Sequence, residues 1–463
     1  MEPTAARKEA GTRTISRRHA LQIALGAAIP AFGTLAGCSS GGGGALGGGG
    51  GGGKVTELVI PTHRSPWLNA YKEIAASYEA ESGIRINLRE FPYDGLRTQM
   101  VNAMQSNSGA FDIFQIDEPW TAQFFTQKWV TPLKKIDSSF TPDDQIISYS
   151  NLVRWDATSK TSSANGDVMG LPLNGNVHIL MYRKDLYDQL GLKVPATWED
   201  AYANGRKAQQ AGVVKYGHAA RGQASSGGQS ITYDFMPVFY SYGGSWFRDE
   251  GKDWTPTVNT DSAVAAVEMY RRLLQLGPAQ PQTLGQAEVV SSMQSGDLLQ
   301  VHSVVASAPQ MEDAKASRVA GKMGYAVVPA GPAGAPAPTS GTWVLSVPSG
   351  LSAERSKAAS DFIKWMLSVD TQRKFTLGTG IPTRKDVYTA SEVPAAMRSY
   401  LDPVADSFPN ARPAVRYEFA SPMLEVVEKS LSAIVSNDDP VKPALDKLNQ
   451  EITDVVRKAG YLK

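Results

Sequence analysis

The stretch FDIFQIDEPW, residues 111–120, is an apolar strand followed by two acidic residues, a proline and a tryptophan. It completes an alternation of patterns that begins with the predicted strand ELVI at 57–60. Apolar residues at helical spacing follow over 67–78, alternating residues at 84–88 predict a second strand, and an amphipathic stretch at 96–104 predicts a second helix. Strand, helix, strand, helix and strand in this order predict an α/β fold with a largely parallel sheet and helices on both faces.

Polar and aromatic residues follow the first and third of these strands. In α/β sheets, ligands bind beyond the carboxyl ends of the strands. Those ends carry His63 and Arg64 after the first strand, and Asp117, Glu118 and Trp120 after the third. We therefore expect these five residues to contact a ligand.

A second α/β region follows after residue 170. Residues 176–182 have the apolar character of a strand, and Thr197 with Asp200 three positions later predicts a helix start with a capping box. The same patterns predict further strands at 325–329 and 343–347 and a last helix at 441–458.

The N-terminal part has the pattern of an export signal. Arg17 and Arg18 precede an uncharged segment at 20–36, and the next two residues are a glycine and Cys38. Seventeen residues interrupted by glycine and proline are shorter than the roughly 20 that a membrane span needs. The paired arginines fit a twin-arginine signal, but Ala20 stands where that signal usually carries phenylalanine. An ordinary export signal therefore stays open as an alternative.

We predict that residues 1–37 are a signal peptide ending in a lipobox and that Cys38 is lipidated. Cys38 is the only cysteine of the chain, so an internal disulfide is excluded. Eleven of the thirteen residues at 41–53 are glycine, a composition typical of flexible coil, so 38–53 is predicted to be a lipid anchor and linker. The protein is then expected at the cell membrane, on its extracytoplasmic face, with 54–463 as its folded part.

Charge and motifs exclude several classes of function. Of the 46 basic and 45 acidic residues, five basic and two acidic ones precede Cys38, which leaves 41 basic against 43 acidic. The sequence has no stripe of basic residues that would predict nucleic-acid binding. Neither a Gly-x-Ser-x-Gly elbow nor a phosphate-binding loop occurs at a strand-to-helix turn, so no catalytic residue is predicted. The five histidines lack i, i+4 spacing, and neither a metal nor a cofactor is predicted.

The order of short motifs resembles the extracellular solute-binding proteins of ABC importers, in the group of sugar binders that includes maltose-binding protein. The resemblance covers nearly all of the chain after the linker. It rests on these motifs: FDIF at 111–114, VTPL at 130–133, GLP at 170–172, MYRKDL at 181–186, PATWED at 195–200, YGG at 242–244, VPAG at 328–331, GTW at 341–343 and GIPTR at 380–384.

The resemblance implies a two-lobe periplasmic-binding-protein fold of type II, with hinge crossings and a central ligand cleft. By position, the N-terminal lobe would comprise 54–175 and 343–379, and the C-terminal lobe 176–342 and 380–463. Closure of the lobes around a solute would be the conformational change that the importer recognises.

Further site residues follow from the chemistry of sugars, which present apolar faces and rings of hydroxyl groups. Trp246 and Trp343 are candidates for stacking on such a face, with Trp120. By position, the crossings that the resemblance implies lie near 175–177, 340–343 and 378–382. Asn174 and Asn176 flank the first crossing, where the family places ligand contacts, and Arg384 follows the third.

We therefore expect a monomeric lipoprotein that captures a sugar, polyol or short oligosaccharide and delivers it to ABC permease subunits in the membrane. Two alternatives remain from the sequence. The same fold could bind a polyamine or a glycerol phosphodiester, which would require several carboxylates or several arginines in the cleft. A surface glycan-processing enzyme or lectin is the alternative from another class.

Overall fold

The computed structural model describes residues 54–147, 149–225 and 229–463, without the side chains of Asp94 and Ser150. The predicted signal peptide, Cys38 and the glycine-rich linker lie outside the described residues.

Thirteen strands are found in the described residues. Their bounds are β1 Glu57–His63, β2 Arg85–Phe91, β3 Phe114–Asp117, β4 Arg154–Asp156, β5 Thr161–Ser162, β6 Asp167–Val168, β7 Leu171–Asn174, β8 His178–Arg183, β9 Phe247–Asp249, β10 Asp253–Pro256, β11 Gln300–Val304, β12 Met323–Val327 and β13 Trp343–Ser346.

Sixteen α-helices accompany them in the same residues. Their bounds are α1 Leu68–Ser82, α2 Tyr93–Gln105, α3 Thr121–Thr126, α4 Leu133–Ile136, α5 Lys184–Leu190, α6 Trp198–Gln210, α7 Ile231–Ser241, α8 Asp261–Leu274, α9 Gln286–Gln294, α10 Ala308–Met311, α11 Ala353–Met366, α12 Val369–Leu377, α13 Lys385–Tyr388, α14 Ala395–Ser407, α15 Ala420–Ser436 and α16 Val441–Lys458.

The first sheet region is built from β1, β2, β3, β7 and β13. β1 and β2 pair in parallel, with Glu57 opposite Arg85. β13 lies between β3 and β7 and is antiparallel to both. The predicted alternation of strands and helices is confirmed, but the expectation of a largely parallel sheet is wrong. β13 enters from a distant part of the chain, so no local β–α–β unit fixes its direction.

The second sheet has β8 at its centre, with β11 and β12 antiparallel on either side. All six residues of β8 are buried, which explains the continuous apolar run of the sequence. Two smaller antiparallel sheets lie outside the two main ones. In the first, β4 pairs with β5 and β6, and in the second, β9 pairs with β10.

Several helix ends form as their sequences predict. Gly83 adopts the left-handed conformation, with φ 73°, and ends α1. Thr197 accepts a hydrogen bond from the backbone N–H of Asp200, and the Asp200 carboxylate accepts from the N–H of Thr197. This capping box starts α6, and α16 has the predicted bounds. No helix in the described part of the chain combines the length and the apolar character that crossing a membrane requires.

Connecting segments run side by side between the two sheets. The chain passes from β7 to β8 through 175–177 and returns from β12 to β13 through 339–342. The N–H of Gly175 donates to the carbonyl of Ile381 (3.0 Å), and the N–H of Gly341 donates to the carbonyl of Asn176 (3.0 Å). The boundary between the two parts of the fold therefore lies among hydrogen-bonded backbone segments.

An ion pair between the buried Asp112 and the partly exposed Arg355 attaches α11 to the first sheet region. Asp112 is 1% exposed, and its carboxylate accepts from the N–H of Val59 (2.8 Å) and from Nε and Nη2 of Arg355 (both 2.6 Å). Bidentate charge-assisted hydrogen bonds of this kind are among the strongest in proteins. Asp112 thus joins β1, the segment before β3 and α11.

We expect Asp112→Ala to lower the free energy of unfolding by roughly 2–4 kcal/mol, because it leaves a buried N–H and a guanidinium without their acceptor. Chemical denaturation measures the loss. The slope of the unfolding free energy against denaturant concentration should be the same in the variant and the wild type. The matched control is Glu199→Ala, which removes the carboxylate of the exposed pair with Arg272 and should cost less than about 1 kcal/mol. Equal losses in the two variants would contradict the assignment.

Candidate functional site

A cavity of about 680 Å³ lies between the two sheet regions, next to the connecting segments. Its volume is typical of small-molecule sites. The described residues that line it are His63, Arg64, Ser65, Pro66, Trp67, Tyr93, Asp117, Asn176, Arg221, Gln223, Ser225, Gln229, Ser230, Tyr233, Gly285, Gln286, Ala287, Val290, Val304, Ala306, Gln310, Gly341 and Trp343. Both halves of the fold therefore contribute to one cavity.

One wall of the cavity is aromatic and comes from the first sheet region. The imidazole of His63 stacks on Trp343, with centroids 4.3 Å apart and an interplanar angle of 16°. Trp67 and Tyr93 approach His63 edge-on. Burial lowers the pKa of His63 to about 4, so this ring is neutral at physiological pH. The wall therefore presents apolar ring surface, which suits the C–H face of a sugar.

Trp120 lies behind this wall and supports it. Its ring meets that of Trp343 edge-to-face at 5.6 Å, and it is 2% exposed. Trp120 does not line the cavity.

Asp117 ends β3 and supplies the carboxylate of the cavity. The hydroxyl of Tyr93 donates to its Oδ2 (2.6 Å), and the N–H of Glu118 donates to its Oδ1 (3.0 Å). Burial raises the pKa of Asp117 to about 7, against the lowering effect of the Tyr93 hydrogen bond. Near neutral pH both protonation states of this carboxyl group are therefore populated. The ionised form can only accept a hydrogen bond from a ligand hydroxyl, whereas the protonated form can also donate one.

Glu118 lies outside the cavity, although the sequence places it among the ligand contacts. Its carboxylate accepts from the hydroxyl of Ser340 (2.9 Å) and from the N–H groups of Thr342 (3.3 Å) and Ala414 (3.2 Å). Nη1 of Arg416 lies 3.5 Å away. The chain turns at this point from β3 into a 3-10 helix at Glu118–Trp120, with Asp117 as its N-cap. The two carboxylates therefore have different surroundings, Asp117 at the cavity and Glu118 at the connecting segment.

Asn174 and Asn176 differ in the same way. The side-chain oxygen of Asn176 accepts from the N–H of Ala306 (3.2 Å), and this residue lines the cavity. The side-chain oxygen of Asn174 accepts from the N–H of Trp343 (3.1 Å), and Asn174 is fully buried behind the cavity wall.

The opposite wall comes from the segment before α7 and from the start of α9. Nη1 of Arg221 donates to the carbonyl of Gln229 (2.9 Å), and Nη2 donates to the side-chain oxygen of Gln286 (3.3 Å). The guanidinium Nε lies 3.4 Å from Asp234, whose other oxygen accepts from the N–H of Arg221 (3.0 Å). Arg221 is thus held in a fixed position at the cavity.

Tyr233 projects from α7 toward the connecting segment. A Cβ atom at Gly341 would lie 1.7 Å from its hydroxyl, so only glycine permits this approach. Burial raises the pKa of Tyr233 well above its ordinary value, so the phenol stays protonated.

Two of the predicted ligand contacts lie in other parts of the structure. Trp246 is 1% exposed, packs against Phe239 in the core of the second half, and donates from Nε1 to the hydroxyl of Tyr240 (2.9 Å). Arg384 is buried in ion pairs with Asp143 and Asp386. Neither residue lines the cavity. Trp246 is packed in the core with its N–H hydrogen-bonded, and the guanidinium of Arg384 is paired with two carboxylates.

The structure brings His63, Arg64, Asp117, Asn176 and Trp343 together at the cavity. It adds three residues that the sequence did not single out, namely Arg221, Tyr233 and Gln286. Arg221 lies in a segment without periodicity, and Tyr233 lies in α7, which is buried on nearly all sides. No sequence pattern marks either residue, because their position depends on packing between distant segments.

Three buried histidines lie beneath this second wall. His178 contacts a carboxylate oxygen of Asp234 (3.0 Å), His302 contacts the carbonyl of Asp234 (2.8 Å), and His218 contacts His302 (3.0 Å). Burial lowers the pKa of His302 to about 4. No group of three or more potential metal ligands occurs among the described residues.

A second cavity of about 830 Å³ lies beside Arg412–Ala414. The N–H of Arg412 donates to the carbonyl of Pro338, and the carbonyl of Arg412 accepts from the N–H of Ser340. Unpartnered polar atoms distinguish the two cavities. His63 Nδ1, Ser65 Oγ, Trp67 Nε1 and the Tyr233 hydroxyl in the smaller cavity are buried without a hydrogen-bond partner, whereas none of the described residues lining the larger one has such an atom. Buried polar groups are normally paired, so the smaller cavity is the candidate ligand site.

Comparison with known proteins identifies the family. The family model described as bacterial extracellular solute-binding protein matches residues 65–373. A probable amino-acid ABC transporter periplasmic-binding protein of Sinorhizobium fredii is 23% identical over 408 residues, covering 85% of this chain and 88% of the relative. The mannitol-binding protein of Pseudomonas aeruginosa is 23% identical over 351 residues, covering 75% and 72%.

Solved structures share the fold. An ABC transporter solute-binding protein from Agrobacterium radiobacter, in complex with ribitol, has a TM-score of 0.75 at 22% identity, covering 87% of this chain and 99% of that one. The maltose-bound MalE3 of T. maritima has a TM-score of 0.73 at 21% identity, covering 86% and 99%. The predicted two-lobe α/β fold is therefore confirmed. By its family match and its fold, the chain belongs to the bacterial extracellular solute-binding proteins.

Proposed function

We propose that this protein captures a sugar, polyol or short oligosaccharide in the 680 Å³ cavity and delivers it to the permease of an ABC importer. The observation that carries the proposal is the pairing of an aromatic wall with unpartnered hydrogen-bonding groups in one cavity between two lobes. A polyhydroxylated solute has the complementary chemistry, because its C–H face packs on rings and its hydroxyl groups donate and accept in fixed directions.

Similar proteins support this class of solute. The relatives and structures named above include a mannitol-binding protein and proteins in complex with ribitol and with maltose. The S. fredii relative is described as an amino-acid transporter component, so amino acids belong in any test of the proposal.

The cavity disfavours a polyamine. A polyamine needs several carboxylates, and Asp117 is the only one among the described lining residues. Of the two arginines that would favour a phosphodiester, Arg384 is occupied by Asp143 and Asp386, whereas Arg64 lines the cavity. Removal of a glycan from the medium by hydrolysis would be the sign of an enzyme instead.

We assign the hinge to the connecting segments and retain the lobes 54–175 with 343–379 and 176–342 with 380–463. Closure would bring the aromatic wall of the first lobe against Arg221, Tyr233 and the start of α9 in the second. A ligand bridging both walls stabilises the closed form by its differential affinity.

Titration calorimetry of the full-length protein against monosaccharides, polyols, maltose, polyamines, amino acids and glycerol phosphodiesters tests the proposal. We expect saturable binding of at least one sugar or polyol. At about 100 times its dissociation constant that ligand should stabilise the native state by roughly 2.7 kcal/mol. Binding confined to polyamines or amino acids, or the absence of binding to every carbohydrate, would overturn the proposed substrate class.

Asp117 should make the stability of the empty protein depend on pH. Its pKa of about 7 in the folded state exceeds the ordinary value near 3.9, so the folded state binds more protons between these values. Stability is therefore greatest below about pH 4 for this group and decreases as pH rises through 7, by up to roughly 4 kcal/mol.

The variant Asp117→Asn cannot ionise and should not show this loss. We expect its melting temperature, relative to that of the wild type, to increase between pH 5 and pH 8.5 in ligand-free protein. The control is Asp261→Asn at the exposed start of α8, where burial is absent. A constant difference between Asp117→Asn and wild type over this range would contradict the buried, protonated carboxyl group.

We further propose that Cys38 carries the lipid that retains the protein on the extracytoplasmic face of the membrane, with 38–53 as its tether. Cys38→Ser should shift the protein from the membrane fraction to the soluble fraction after cell fractionation, because it removes the site of the acyl chains that would supply the membrane affinity. The matched control is Ser39→Ala, which leaves the thiol in place. Sedimentation of Cys38→Ser with membranes would contradict the anchor.

A further inference from the structure

The start of α9 forms part of the cavity wall. Gly285, Gln286 and Ala287 line the cavity, and α9 has nine residues. The first N–H groups of a helix have no acceptor within it. In the described structure, Glu288 caps the N–H of Gly285 (3.0 Å), and no acceptor is found for the N–H groups of Gln286 and Ala287. These donors and the helix dipole favour an anion.

Arg221 places a permanent positive charge beside this helix start. It is 5% exposed, lines the cavity and donates to the side chain of Gln286 (3.3 Å). Asp234 balances its charge but does not line the cavity, so a ligand meets the guanidinium and not the carboxylate. Arg64 adds a second guanidinium to the lining, at the exposed edge.

Tyr233 supplies an independent indication of a ligand here. Its hydroxyl has no hydrogen-bond partner, the residue is 5% exposed, and its ring lies 5.5 Å from the Arg221 guanidinium. A buried donor without an acceptor is destabilising. A negatively charged acceptor on a bound solute would satisfy it.

Negatively charged hydrogen-bond acceptors are scarce on the same surface. Among the described lining residues there is neither a glutamate nor a lysine, and Asp117 belongs to the aromatic wall on the other lobe. The two walls therefore differ in chemistry, with rings on one side and donors with positive charge on the other.

We infer that the solute is a polyhydroxylated molecule with one anionic end group, which binds at the start of α9 beside Arg221 and Tyr233 while its hydroxylated carbon chain lies along the aromatic wall. This inference rests on the proposed function and narrows its substrate class from neutral sugars and polyols to sugar acids or sugar phosphates. Carboxylate and phosphate share the chemistry that these donors recognise.

Two matched series test it by titration calorimetry of the full-length protein. One compares ribitol with ribonate and ribitol 5-phosphate, and the other compares glucitol with gluconate and glucitol 6-phosphate. We expect at least one anionic member to bind tenfold or more tightly than its neutral counterpart, and the identity of that member distinguishes carboxylate from phosphate. If no anion exceeds its neutral counterpart, the inference is overturned.

The variant Gln286→Glu tests the position of the anion. It places a carboxylate beside Arg221 at the first residue of α9, where an acidic side chain favours the helix, so the fold should be retained. We expect the ratio of anion affinity to neutral-solute affinity to decrease at least tenfold. The matched control is Gln275→Glu, an exposed position at the end of α8 with the same change of charge, which should keep the ratio.

The outcomes separate the two levels of the proposal. Binding of neutral members with equal or higher affinity than the anions overturns the anionic end group and leaves the proposed capture of polyols standing. An unchanged affinity ratio in Gln286→Glu overturns the placement at α9. Failure of every carbohydrate, neutral or anionic, overturns the proposed function itself.

Discussion

The buried carboxylate of Glu118 is the constraint on which the arrangement of the two lobes depends. A fully buried charge is tolerated only when donors surround it, and these donors come from Ser340, Thr342, Ala414 and Arg416. The end of β3, a connecting segment and the segment before α15 are thereby joined at one point. Burial still raises the pKa of Glu118, which shows that desolvation outweighs the stabilisation by its partners. The cavity lies next to this junction, because Asp117, the residue before Glu118, lines it.

The connecting segment also fixes the relation between the cavity walls. Gly341 hydrogen-bonds to the carbonyl of Asn176 and permits the hydroxyl of Tyr233 to approach its Cα. Trp343, two residues later, carries the stacked ring of His63. The short stretch 341–343 therefore contacts the donor wall at one residue and the aromatic wall at another. A change in the backbone here would alter both walls together, which is the geometry expected where two lobes close on a solute.

The two walls divide the chemistry of recognition. Rings of the first lobe offer apolar surface, and Arg221, Tyr233 and the start of α9 in the second lobe offer donors and positive charge. A neutral polyol would use the first wall fully and the second only in part, whereas the proposed anionic polyol would use both. This asymmetry follows from the residues that line the cavity.

Local patterns in the sequence determined the individual helices and strands, the capping box at Thr197, the end of α1 at Gly83 and the buried β8, because hydrophobic periodicity and turn chemistry act over a few residues. They also placed His63, Asp117 and Asn176 at strand ends, which lie at the cavity. Only the tertiary structure decided that β13 runs antiparallel, that Glu118 and Asn174 face away from the cavity and that Trp246 belongs to the core. It also decided the donor wall of Arg221, Tyr233 and Gln286. These features depend on contacts between segments that are distant in the sequence, and local residue patterns do not indicate such contacts.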